Sequence, residues 1–185
     1  MDKIRFGVGI FGNEPVQKIA AQVKLAEELG YDSAWLIDSQ LVCRELYVTL
    51  TACALSTSRI KLGSGVTLPY TRHAFATLNE IAEERLLLGV SIGLSAVRTV
   101  GIRPARIQEL EAYVGLLKGL LDNQKVPFER GMEGKITWME SPSNIPVYIA
   151  ASGPHLTRAA GRMADGAILH HGVTVTRLER AVRLV

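Results

Sequence analysis

A chain of 185 residues, 48% apolar and 21% charged, is long enough for one sizeable core and is not the composition of a disordered segment. The net charge of +3 comes from 21 basic and 18 acidic residues interspersed along the chain, without the basic stripe or aromatic platform that nucleic acids need. Only two cysteines occur, the N-terminal apolar run is too short for a signal peptide, and no run reaches the ~18 apolar residues that cross a bilayer, so a single cytoplasmic domain over 1–185 with reduced thiols and no nucleic-acid or membrane partner is expected.

Apolar runs of strand length alternate with amphipathic helical stretches along the whole chain, the pattern of consecutive βα units around a parallel sheet. The first strand is predicted over Ile4–Ile10. The helix after it starts near Pro15, has Val16, Ile19, Val23 and Ala26 on one face, and stops at Gly30. A second strand, Ser33–Ile37, precedes a helix over Leu46–Thr57; a third, Ile60–Val66, leads into a polar loop and a short helix over Phe75–Glu83. The run Arg85–Gly93 has a nearly continuous apolar character, as befits a strand covered on both faces. An irregular stretch follows, then a long helix over Pro104–Leu121 with Ile107, Leu110, Val114, Leu117 and Leu121 on one stripe. Residues Asp122–Asn144 are turn-rich, and a small hairpin of VPFER with KITWM is expected there. Strands five and six are Pro146–Ala151 and Ala167–His170, and a basic helix begins near Thr174.

Six such units without a switch in order specify an α/β fold of (β/α)8 barrel type cut to about six units, because the full barrel takes eight strands and ~250 residues. An open sheet of this kind leaves two strand edges unpaired.

Barrel sites are built from the loops after the strands' C-terminal ends. That rule selects Phe11–Glu14, Asp38 to Gln40, Thr67–His73, Ser91–Ser95, Ser152 with Gly153, and His170 with His171. Arg72 suits an anion and His73 can exchange a proton near neutral pH, although a solvated surface loop accounts for the same letters. Ser152-Gly153-Pro154 opens a helix, so it is either a phosphate-binding N-terminus or a plain cap. Asp38 is a base, an orienting partner or a helix cap. His170 and His171 point to opposite faces of a strand and cannot readily chelate one ion, so no metal is assigned. Glu109 and Glu111 belong to the solvated face of the long helix.

The motifs YDSAWLIDSQ, STSRIKLGSGVTLPYTRH, ATLNEIAEERLLLGV, SAVRTVG, IPVYIAASGP and ADGAILHHG, in this order, resemble the bacterial luciferase-like superfamily. They are most similar to its branch of deazaflavin-dependent methylenetetrahydromethanopterin reductases. The resemblance implies a barrel that binds coenzyme F420 or FMN at the strands' C-terminal ends and transfers a hydride to or from a small organic substrate. It places a non-prolyl cis peptide at Gly65–Val66 behind the ring and puts Ser152 and Gly153 on the cofactor phosphate. It also sets Thr67 and Arg72 near cofactor or substrate, with His73 beside them at the rim of the substrate site. Asp38 and His73 are the candidates for catalytic roles.

Four departures stand against the family pattern. Ser39 replaces a frequent His, Leu94 replaces the Asp of a Gly-Asp-Ser, about two helical turns are missing after His73, and the last two units are absent. They keep two other readings open: an FMN-dependent luciferase-like monooxygenase, and a catalytically silent cofactor-binding or truncated member. A homodimer or larger homo-oligomer is expected, because it would bury the apolar surface of an incomplete barrel.

Overall fold

The computed structural model describes residues 4–39, 41–67, 75–93, 95–128, 131–170, 172 and 174–185. The chain runs β1 (Gly7–Ile10), α1 (Val16–Glu28), β2 (Ser33–Leu36), α2 (Leu46–Ser56), β3 (Lys61–Thr67), α3 (Phe75–Ile81) and β4 (Leu86–Val90). It continues through α4 (Ser95–Arg98), α5 (Ile107–Leu121), β5 (Val126–Pro127), β6 (Glu133–Gly134), β7 (Val147–Ala151), α6 (Pro154–Met163), β8 (Gly166–Leu169) and α7 (Val175–Val182). Six strands form one parallel sheet in the order β1-β2-β3-β4-β7-β8, with β1 and β8 as its edges. Among the described residues no helix is long and apolar enough to cross a membrane.

Alternation along each strand divides the sheet into two unlike faces. Ile10, Ala34, Leu36, Leu62, Leu88, Val147 and Ile149 point into the helix layer, where they pack with Ile19, Val23, Leu50, Leu110, Val114 and Ala160. The other face carries Gly7, Gly9, Trp35, Gly63, Gly89 and Tyr148, brought side by side by the registers Gly9↔Trp35, Trp35↔Gly63 and Gly89↔Tyr148. The core therefore lies between sheet and helices.

Several predicted boundaries move, each for a local reason. Strand one begins at Gly7 instead of Ile4, because the Phe6 N–H donates to Asp32 Oδ2 (2.8 Å) and Ile4 is exposed. Strand four starts at Leu86: Arg85 turns its guanidinium onto α2, donating to Thr57 Oγ1 and to the carbonyls of Ala54, Thr57 and Ile60. The expected hairpin partner is displaced. Val126–Pro127 pair with Glu133–Gly134, not with KITWM. The Phe128 N–H donates to the Met132 carbonyl, Gly131 takes a positive φ, and the Phe128 ring lies where a Cβ on Gly134 would meet it at 2.9 Å.

Candidate functional site at the carboxyl ends of the strands

Asp38 follows β2 and Thr67 ends β3, so parallel pairing of these strands carries both to the same end of the sheet. Tyr47, in the first turn of α2, reaches the same point. The Thr67 hydroxyl donates to Asp38 Oδ2 at 3.0 Å, and its oxygen lies 3.0 Å from the Tyr47 hydroxyl. A threonine hydroxyl has one proton; with that proton on Asp38, Tyr47 is the donor to Thr67. All three residues are buried. Burial pushes the Tyr47 phenol far above its ordinary value, and the nearby Tyr113, Asp38 and Glu45 push in the same direction. Tyr47 is therefore a permanent neutral donor. The buried Tyr113 hydroxyl has no hydrogen-bond partner among the described residues.

The Gly65–Val66 peptide is cis, and the β3–β4 register shifts between Ser64 and Thr67. Ser64 locks this bulge: its hydroxyl donates to the Gly89 carbonyl and accepts from the Gly89 N–H, both at 2.9 Å. A Cβ on Gly65 would lie 3.3 Å from Trp35 Cβ, and one on Gly89 would strike the Ser64 carbonyl. The close approach of the Ser64 carbonyl thus requires glycine at 89, and at 65 a side chain would crowd Trp35.

A second group gathers where β7 and β8 end. Gly153 is the N-cap of α6 and Pro154 its first residue, an arrangement that leaves the first-turn N–H groups pointing outward. A cleft of about 490 Å³ opens beside it, lined by Ser152, Pro154 and His170 and, from α7, Arg177 and Arg180. Neither arginine side chain has a partner among the described residues, and a Cβ on Gly153 would meet nothing within 4 Å.

Of the residues selected from sequence, Asp38, Gly65, Val66, Thr67, Ser152 and Gly153 all lie at this end of the sheet, Asp38 and Thr67 in direct contact. Arg72 and His73, like Gln40, Leu94 and His171, lie outside the described residues. Ser39 uses its carbonyl to accept from the N–H groups of Val42 and Cys43. Sequence reasoning missed Tyr47, Arg177 and Arg180. The basic helix was visible, but nothing in its letters said that two of its arginines face the α6 N-terminus.

A parallel βα sheet with its polar loops and one helix N-terminus gathered at the carboxyl ends defines the class: a (β/α) barrel-type protein represented by six of its units. The chain belongs to the luciferase-like monooxygenase family, whose sequence model matches residues 2–185. It is 35% identical over 175 residues to a 5,10-methylenetetrahydromethanopterin reductase of Methanolobus tindarius, covering 89% of this chain and 53% of that protein. It is 33% identical over 177 residues to an F420-dependent glucose-6-phosphate dehydrogenase of Kineococcus radiotolerans, covering 84% and 52%. The solved coenzyme F420-dependent tetrahydromethanopterin reductase of Methanopyrus kandleri superposes with a TM-score of 0.81 at 25% identity, over 98% of this chain and 62% of that one. The chain thus spans about half the length of the curated relatives it matches.

Proposed function

We propose that the chain is the cofactor-holding part of an oxidoreductase that moves a hydride between coenzyme F420, or FMN, and a small organic substrate, in the manner of the methylenetetrahydromethanopterin reductases. The observation that carries this reading is the cleft in which the α6 N-terminus, Ser152, Arg177 and Arg180 converge. Backbone N–H groups at a helix start, a hydroxyl and two guanidinium groups without a partner among the described residues form a donor set for a phosphate. The open space beside Gly153 admits that group close to the backbone. The residues present therefore fit the phosphate of either cofactor.

When bound, the flavin or deazaflavin ring supplies the hydride-carrying chemistry, while the protein supplies position and exclusion of water. Gly65 and Val66, in the Ser64-locked bulge, form a firm surface at the end of β3 for a ring to rest on. Thr67 ties that surface to Asp38, and Tyr47 holds the pair from α2. We assign Asp38 an orienting role, since its carboxylate is buried and accepts from Thr67. Arg72 and His73 are proposed for substrate, Arg72 for an anionic group and His73 for a proton near neutral pH.

Self-association belongs to the same reading. Helix α2 has no charged residue and is apolar on every side, which is the pattern of a helix covered all round, yet Val48 and Leu55 are 61% and 76% exposed. A dimer packed over α2 would cover them, and sedimentation velocity tests this.

Cofactor retention after gel filtration, measured by absorbance with F420 and FMN in parallel, tests the main proposal. Retention of F420 followed by its bleaching with a reduced substrate is expected; retention of FMN alone would favour the monooxygenase reading. Stoichiometric binding without turnover would favour a catalytically silent binder, a reading supported by Ser39. Failure to retain either cofactor would refute the proposal.

A further inference from the structure

A cleft of about 290 Å³ lies on the helix side of the sheet, between α3 with the turn that follows it and the segment 138–143 that leads toward β7. Helix α3 connects β3 to β4, the two central strands, so the cleft stands two strands from either edge of the sheet. Leu78 and Ala82 of this unit pack into the core, while Glu80 and Glu84 line the cleft.

Its two walls are fastened together. The Asn79 side chain, 3% exposed, donates to the Ser143 hydroxyl at 3.1 Å and accepts from the Leu86 N–H at 3.3 Å. Ser143 is tied in turn to α5, its N–H donating to the Leu121 carbonyl at 2.8 Å. Met139 is buried against this frame, whereas Trp138 beside it lines the cleft and is 52% exposed. Buried hydrogen bonds therefore hold the cleft in shape, with a half-exposed indole on its wall.

The charge on the lining is of one sign. Glu80, Glu84 and Glu140 stand on it, and no lysine, arginine or histidine does. None of these carboxylates has a side-chain partner among the described residues. The neighbouring cation is turned away, since Arg85 gives its guanidinium to Thr57 and to the carbonyls at the end of α2. Glu84 keeps its place in a left-handed backbone, φ 58°, where asparagine or glycine would sit at less cost. An indole face with negative charge around it is the chemistry that holds an organic cation.

We propose that this cleft binds an alkyl polyamine, its methylene chain along Trp138, Met139 and Pro142 and its ammonium groups on Glu80, Glu84 and Glu140. Carboxylates alone would hold any cation. The indole selects one with an apolar frame, because an ammonium over the ring and methylenes beside it both gain from that contact. The volume is at the lower bound for ligand pockets, which suits a slender chain. The proposal is independent of the cofactor reading, because it uses none of the residues at the carboxyl ends.

Isothermal titration calorimetry of the full chain with spermidine tests this, with butanediol as the neutral probe and magnesium chloride as the compact cation, all at matched ionic strength. One saturable spermidine site is expected, weakened by added salt, and no binding of butanediol or magnesium. Glu84→Asn, which suits the left-handed backbone, and Glu140→Gln should each weaken binding about fivefold, the loss of one partly exposed ion pair. Trp138→Ala should weaken it about fivefold and Trp138→Phe by less, because a phenyl ring keeps the aromatic face. Glu28→Gln removes an equal charge from the exposed side of α1 and should change nothing. If Trp138→Ala does not fold by circular dichroism, Glu84→Asn against Glu28→Gln decides. Absence of spermidine binding, equal binding of butanediol, or displacement by magnesium would overturn the proposal. So would wild-type affinity in a folded Trp138→Ala, or equal losses in Glu84→Asn and Glu28→Gln.

Discussion

Replacing Thr67 by Val removes a hydroxyl from the junction of β2, β3 and α2 while keeping the shape of the side chain. In the native protein that hydroxyl donates to the Asp38 carboxylate and accepts from Tyr47, both at 3.0 Å and both buried. A hydrogen bond to a charged group contributes about 1.5 to 3 kcal/mol and one between neutral groups about 1 kcal/mol. Asp38 and Tyr47 each retain a further interaction, which lowers the loss to about 2 to 3 kcal/mol. For a chain of this size that is a fall in Tm of about 5 to 10 °C. Thermal denaturation followed by circular dichroism measures it. Thr67→Ser, which keeps the hydroxyl, should recover most of the loss, and Thr67→Val with Tyr47→Phe should cost less than the two single changes added together, because both remove the same contact. A Thr67→Val protein melting within about 1 °C of wild type would refute the network's energetic role. Thr67→Ser as unstable as Thr67→Val would show that the methyl group, not the hydroxyl, matters.

Acid sensitivity is expected from Glu27 and Asp165. Burial opposes ionisation of Glu27, but the N–H groups of Ile60, Arg59 and Ser58 hold its carboxyl below the ordinary value of 4.5. At Asp165 burial is likewise outweighed, by Lys118 and the Val147 N–H, below 3.8. The folded state therefore binds fewer protons than the unfolded one, so this stability is complete above those values and is lost as pH falls through the lower folded ones. Melting curves should be flat from about pH 7 to about pH 5 and decline below, with a shallower decline in Glu27→Gln. Arg85→Met removes four hydrogen bonds to Thr57, Ile60 and Ala54 and should cost about 3 to 5 kcal/mol in urea denaturation. The Cys53 thiol is fully buried, which pushes its pKa up to about 12, whereas Cys43 is partly exposed. Iodoacetamide followed by peptide mass spectrometry should therefore label Cys43 first, and Cys53 only on denaturation.

The alternation of strand-length and helix-length apolar runs determined the six βα units, their order and the end of the sheet at which the polar loops collect, since these depend on periodicities local to each segment. The SGVT stretch and the SGP helix start were likewise legible, because glycine, serine and proline act through their own backbone positions. Side-chain pairings across long separations were not. Asp38 and Thr67 are 29 residues apart and Glu27 and Ile60 are 33 apart, so only the parallel register and helix packing made them neighbours. The same register shortened β1 at Phe6, took Arg85 out of β4, and set Trp35 and Tyr148 together over Gly63 and Gly166. A period-two pattern says which side chains share a face of one strand. Which of them touch is decided by the neighbouring strand, and that is a property of the folded sheet alone.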